Sequence, residues 1–306
     1  MGFQTAAEQV GLLFVFMLLG LWAAKRHWIS DDAVGGMTNI LLNFVVPCTI
    51  VMAFQRPYTA GELRELGIVA VFDFLSFPIV IAVSYLVFRQ LKDRDKQRAL
   101  RFGATYSNSM FMGFPLVQAL LGPNGLFFTI IFSLAFNVFV WSQGYSMFPS
   151  ETTKVLKRVF SSAAIWAIIV GLALFLMRVQ LPGILGEGLG YLGDMTAPLS
   201  MIIVGAGLAK VQWLVLLRDR WLWLGVAVRN LLVPLIAILL LWVLPVSATA
   251  RMATLIPMAC PVAAFLVLFS VKSDVDTTFP SSLVALSTVA SIVSVPAILA
   301  LASAIW

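Results

Sequence analysis

Apolar residues run in long stretches along this chain, with polar residues gathered into short clusters between them. Ten stretches approach or exceed the length of a membrane-spanning helix, about 20 residues: 6–24, 33–54, 64–88, 98–121, 125–147, 162–179, 189–210, 220–244, 250–271 and 279–304. Nothing between them is long enough for a soluble domain. The pattern predicts an all-α integral membrane protein with ten transmembrane helices. Two stretches interrupt themselves. The fourth, in "YSNSMFMGFPLVQALLGPNG" (106–125), carries Asn108, Gly113 and Pro115; the ninth, in "IPMACPVAAF", carries Pro257 and Pro261. A proline inside a helix removes one backbone donor and clashes with the carbonyl four residues earlier. The freed groups cannot face lipid, so they must meet protein, water or a ligand. One such break reads as a packing kink. A matched pair reads as two broken helices that cross near the bilayer centre and present their end charges to a binding site.

Sliding the chain against itself by about 151 positions sets "LLNFVVPCTIVMAF" (41–54) on "LGDMTAPLSMIIVG" (192–205), aligning Pro47 with Pro198 and Asn43 with Asp194. The same offset puts "MGFPL" (112–116) on "AAFLV" (263–267), and Pro123–Gly125 on Asp274–Asp276. Each half, 1–149 and 150–306, then holds five spans. Five is odd, so the second half enters the membrane inverted. Inverted repeats with discontinuous helices at the midplane are a common build of secondary transporters.

Composition agrees: 61% of residues are hydrophobic, 11% charged, and the mean hydropathy is +0.99. The net charge of +6 is a topology signal and not a nucleic-acid footprint, because the basic residues fall in alternate loops. Lys25 and Arg26, the cluster from Arg89 to Arg101, Lys154, Lys157, Arg158, Lys210, Arg218, Arg220 and Lys272 share one side; Arg56, Arg64, Arg178 and Arg251 share the other. The positive-inside rule puts the richer side in the cytoplasm and both termini outside it, in a cell membrane of bacterial inner-membrane type. The first stretch lacks a basic leading region and reads as a retained helix rather than a signal peptide. Cys48 and Cys260 sit in separate helices and imply no disulfide framework. His27 is the single histidine. Neither a metal site nor a cofactor site is expected.

Charges inside a membrane are costly and point to function. Asp73 lies mid-way into the third stretch and Arg229 mid-way into the eighth, so the repeat brings them toward each other. They read either as a structural ion pair, or as a proton-coupling carboxylate and a cation that offsets an anionic substrate. Asn43 and Asp194 each stand four residues before a proline and are placed along the cavity, with Asp194 alternatively at its outer mouth. Gln118, three residues after Pro115, reads as a carboxylate ligand or a packing residue. Asn137, Asn230, Ser287, Thr288 and Ser291 read as hydrogen bonds between neighbouring helices.

At "SNSMFMGFPL" and "IPMACPVAAF" the chain resembles the auxin efflux carrier family, which includes plant auxin carriers and bacterial carriers assigned to malate or malonate. The resemblance covers nearly the whole chain. It implies a scaffold of spans 1, 2, 6 and 7 that often forms a homodimer, and a transport domain of spans 3–5 and 8–10. It also implies a small organic anion held where helices 4 and 9 cross. The ninth helix departs from the plant pattern at Leu266, where those carriers have a second proline, and the long central loop of plant carriers is absent. Three rivals are weighed. A sodium-coupled bile-acid-type carrier would place acidic or amide groups at both crossings, and none stands between Thr254 and Ser270. A channel or sensor of the same fold is the second. An intramembrane aspartyl protease, suggested by "GYLGD" (190–194), lacks the spacing and flanking residues that chemistry needs.

Overall fold

A computed structural model describes residues 3–148, 160–209 and 219–306. Among these described residues seven helices are long and apolar enough to cross a membrane, and Ala163–Leu176 is a shorter apolar one. In chain order the elements are α1 (Phe3–Lys25), α2 (Asp31–Ala53), α3 (Ala60–Val87), α4 (Arg94–Thr105), α5 (residues 109–121), α6 (residues 123–144), α7 (Ala163–Leu176), α8 (Gly183–Leu208), α9 (Arg220–Trp242), α10 (Ala248–Ala259), α11 (Phe265–Lys272) and α12 (Thr278–Ile305). The fourth and ninth apolar stretches are therefore each two helices, α4 with α5 and α10 with α11. The halves' junction expected near residues 149 and 150 lies outside the described residues.

Local sequence sets most boundaries. Ser30, Asp93, Asp219 and Ser247 each accept a hydrogen bond from a first-turn N–H of the helix they open. Thr59 and Glu62 form a reciprocal capping box ahead of α3. Pro47, Pro115 and Pro234 share one device. The helix widens over Leu41–Val45, Ser109–Gly113 and Val228–Leu232, so the N–H of Val46, Phe114 or Val233 reaches back five residues. The wide turn relieves the clash between the proline ring and the carbonyl four residues before it.

Helix ends match in pairs. After α1, His27 takes φ 58, its N–H bonds Ala24 O at 3.0 Å, and Trp28 N–H bonds Ala23 O at 2.9 Å. After α7, Arg178 takes φ 55 with Arg178 N–H on Phe175 O at 3.1 Å and Val179 N–H on Leu174 O at 2.9 Å. Both are Schellman closures. After α11, Asp274 (φ 51) closes the same way, and Gly122 (φ 63) ends α5. His27 and Arg178, like Gly122 and Asp274, are separated by about 151 positions, the offset at which the chain was set against itself.

Contacts sort the loops into two ends. Lys96 bonds Asp219 at 2.7 Å and lies over the Phe279 ring, and Arg98 lies over Phe148. At the opposite end Gln55 accepts from Leu181 N–H, Arg178 lies over Tyr58, Ser247 bonds Glu65 and Arg251 lies over Trp306. Burial pushes the Asp219 carboxyl up. The Lys96 and Trp221 hydrogen bonds and the nearby Lys96 and Arg220 charges outweigh it, holding the group below its usual range. The stability it adds is present at neutral pH and fades as pH falls through that lowered value.

α1 and α8 pack backbone to backbone. A methyl group on Gly20 would collide with the main chain of Ile202, and one on Gly205 with that of Met17. Gly205→Val is therefore expected to lower the melting temperature in detergent and the folded yield, since overpacking costs about 1–3 kcal/mol even where side chains give way. Gly11→Val, where a Cβ meets open space, should change neither. Equal melting of the two variants would mean that α1 and α8 do not cross this closely.

Candidate binding site at the interrupted helices

The two interruptions lie against each other. Residues 106–108 and 260–264 run antiparallel, with Asn108 N–H on Pro261 O at 2.7 Å and Ala263 N–H on Tyr106 O at 2.9 Å. Pro261 ends α10 because the residue before a proline is driven to extended backbone, and Cys260 has φ −65, ψ 153. Pro257 removes the donor that Ala253 O would have used, and Thr129 Oγ1 on α6 supplies one instead at 2.8 Å. Val262 N–H bonds Ser287 Oγ at 3.0 Å, and that hydroxyl donates to Asn230 Oδ1 at 2.6 Å.

Arg229 completes this arrangement. It is 1% exposed. Nε donates to Cys260 O at 3.1 Å, one terminal nitrogen to Ala104 O at 3.0 Å and Thr105 O at 3.4 Å, and the other to Met258 O. All four carbonyls belong to the last turns of α4 and α10, where helical donors run out. One guanidinium thus caps both negative helix ends. This corrects two expectations. Among the described residues Arg229 forms no ion pair with Asp73, and it lines neither of the cavities beside the crossing; main-chain carbonyls take four of its five N–H groups. The Asp73 carboxylate is fully buried in α3 and makes no hydrogen bond.

Two cavities of about 350 Å³ flank the crossing. The first lies toward the end where α2 and α12 begin, with Asp31 and Ser281 on its rim. Deeper, Thr38 and Leu42 of α2, Ile203 of α8, Thr288 of α12, Asn108 with Phe111, and Ala264 with Phe265 enclose it. The second opens at the other end between Thr49, Arg56, Pro115, Gln118, Asp194 and Thr196. Thr49 and Thr196 hydroxyls meet at 2.6 Å and join α2 to α8 beside their prolines. Asn108, Phe111, Pro115 and Gln118 follow one face of α5, at helical spacing, past both cavities.

Asn108 is the distinctive group. It is 4% exposed, it lines the first cavity, and among the described residues its side-chain amide has no hydrogen-bond partner. It stands at the N-terminus of α5 while Ala264 and Phe265 stand at that of α11. Both helix starts border the same space, where first-turn N–H groups carry partial positive charge.

The expected residues therefore separate. Asn108 reaches one cavity; Pro115, Gln118 and Asp194 reach the other. Gly113 sits in the packed crossing, where an added Cβ would lie 3.4 Å from Pro257. Pro257 and Pro261 shape that crossing without lining either cavity. Asn43 is exposed and donates to Asn39 O at 2.9 Å, away from both. Its carbonyl-freeing proline is real, but the side chain leaves the helix on the opposite face.

Over residues 5–158 and 150–299 the chain matches the family described as membrane transport protein. It belongs to this family. These are the auxin efflux carrier type of transporter, so the resemblance at the interrupted helices holds. An "uncharacterized transporter" of Methanothermobacter thermautotrophicus is 25% identical over 298 residues, which span 96% of this chain and 97% of the relative. The chain is thus a multi-pass membrane transporter, and the aspartyl protease reading of Asp194 falls away. Several residues around this transporter's cavities carry no sequence signal. Phe111, Phe265 and Thr38 look like ordinary span residues, and only the approach of α2, α8 and α11 makes them walls. Leu266 donates its N–H to Ala263 O at 3.1 Å in the first turn of α11, a bond the plant-type proline lacks.

Proposed function

We propose that this transporter moves a small organic anion by alternating access, with the anion's carboxylate held at Asn108. The observation that carries the reading is the Asn108 amide: buried, free of internal partners, and set between two helix N-termini on a cavity wall. The amide faces the cavity, so a ligand carboxylate can accept its hydrogen bond in place of water there. The two cavities on opposite sides of the crossing support a pathway opened from one side at a time.

In this reading the chain has ten spans in two inverted halves, with α4–α5 and α10–α11 as the fourth and ninth. The matched helix closures about 151 positions apart support it. So do Gly20 and Gly171, also about 151 apart, which admit the α8 main chain and the Phe54 ring respectively. The basic loops face the cytoplasm, so residues 89–101 are cytoplasmic and the first cavity opens inward. Residues 150–158, expected on the same side, lie outside the described residues. A cysteine at position 94 that reacts with an impermeant reagent from outside would reverse this orientation.

Counterflow in proteoliposomes tests the transport reading. Unlabelled internal organic acid should accelerate uptake of the labelled acid, because a carrier exchanges and a channel does not. Asp73 is the proton-coupling group of the proposal. Asp73→Asn should leave counterflow intact and remove accumulation driven by a pH gradient. Accumulation that persists in the variant would make Asp73 a structural residue.

A further inference from the structure

A groove on the outer surface of the helices is separate from the crossing and from the two cavities beside it. α3 and α9 each pack on α10, and a space of about 570 Å³ stays open between them. Ile68, Val71, Leu75 and Ile79 line it from α3, and Leu240 and Val243 from α9. Val71, Leu75 and Val243 are exposed on helices of spanning length, so lipid surrounds them. Two polar side chains reach the groove, Ser76 and Arg64. The Ser76 hydroxyl donates to Asp73 O at 2.8 Å, a bond within its own helix. The wall is therefore apolar along its length and cationic at one end.

Arg64 stands in the second turn of α3, is exposed, and pairs with no carboxylate among the described residues. The acidic residues beside it are engaged elsewhere, Glu62 with Arg56 and the Thr59 cap, and Glu65 with Ser247 at 2.6 Å. On the opposite lip Arg251 donates at 2.9 Å to the carbonyl of Leu244, itself a wall residue, which sets a second guanidinium near the same end. From Arg64 to Ile79 the groove follows fifteen positions of α3, about 22 Å at 1.5 Å per residue. A bilayer is about 40–45 Å thick with its headgroups, so one leaflet is about 20–22 Å. The groove is thus as long as one leaflet, with its cation at headgroup level.

We infer that the groove between α3 and α9 holds one anionic phospholipid, its phosphate at Arg64 and one acyl chain laid along α3 toward Ile79. The chain gains little by leaving bulk lipid for this wall, since both are equally apolar. The headgroup then decides occupancy, and a basic residue at the membrane surface attracts an anionic one. Gly67 lies under the acyl chain. A Cβ there meets no protein atom, so a larger side chain would fill the groove without disturbing the helices around it.

Native mass spectrometry of the full chain in detergent, with palmitoyl-oleoyl phosphatidylglycerol or phosphatidylcholine added, tests this. The unaltered chain should hold one phosphatidylglycerol through activation that strips the other lipids. It should hold phosphatidylcholine about fivefold more weakly, the factor one basic residue contributes at an anionic surface. Gly67→Leu should lose the lipid, while Gly11→Leu, which fills open space on α1, should keep it. Arg64→Gln should bind both lipids alike and Arg64→Lys should keep the preference; this pair serves should Gly67→Leu fail to fold. Phosphatidylglycerol held by Gly67→Leu, or still preferred by Arg64→Gln, puts the lipid elsewhere and overturns the inference. Inorganic phosphate that displaces the lipid one for one would overturn it in favour of a free-anion site. A shift from dimer to monomer in Gly67→Leu, with the bound lipid unchanged, would overturn it in favour of a contact between copies. None of these readouts depends on what the carrier moves.

Discussion

Arg229→Lys is expected to give a chain that reaches the membrane but melts well below the unaltered protein and no longer binds substrate. The guanidinium serves four carbonyls at the ends of α4 and α10. An ammonium keeps the charge but has three donors on a compact head, and cannot span the two helix ends that the planar fork bridges. At least one buried acceptor is left without a partner, at about 1–3 kcal/mol for each. Arg229→Met leaves all four and should fail to fold. Because these carbonyls belong to the segments that carry Asn108 and Pro261, the loss distorts the site as well as the fold. Thermal unfolding in detergent and ligand titration on the same preparation measure the two effects. A lysine variant with unchanged melting and unchanged affinity would show that Arg229 does not hold the crossing together.

Asn108→Ala should do the reverse, keeping the fold and losing the ligand. Among the described residues the Asn108 side chain makes no hydrogen bond, so its removal breaks none there. Its backbone N–H, which does bond Pro261 O, is unaltered by the substitution. A hydrogen bond to a charged group contributes about 1.5–3 kcal/mol, which converts to a ten- to hundredfold loss of affinity at about 1.4 kcal/mol per decade. Asn137→Ala is the contrasting variant. That amide bonds Ser133 O at 2.9 Å and accepts from Ser162 at 3.3 Å, and it lines neither large cavity. It should lose stability and keep affinity. If both variants behave alike, Asn108 is a packing residue and the site lies elsewhere.

Much of this architecture is written in one dimension. Apolar runs of spanning length and the prolines inside them answer to the bilayer, which demands closed backbone hydrogen bonds and long apolar segments. That demand acts on consecutive residues, so it is readable without contacts. The interruptions at Asn108–Pro115 and Pro257–Pro261 were legible for the same reason, since proline acts on its own helix.

The partners of the freed groups were not. From sequence, Arg229 was a counter-charge for Asp73 or for substrate; in the structure it caps two helix ends, one 125 positions away at Ala104 and the other 31 positions away at Cys260. Asn43 and Asp194 align at the 151-position offset and both are exposed, yet only Asp194 lines a cavity. A helix rotation of a fraction of a turn decides between those outcomes, and packing of the whole bundle sets that rotation. The sequence by itself therefore determined the membrane class, the breaks and the family resemblance, because each depends on local backbone chemistry or on residue type. Which carbonyls Arg229 satisfies, which amide is left free, and which side chains wall the cavity were decided only by tertiary structure, because those are properties of helices meeting at particular angles.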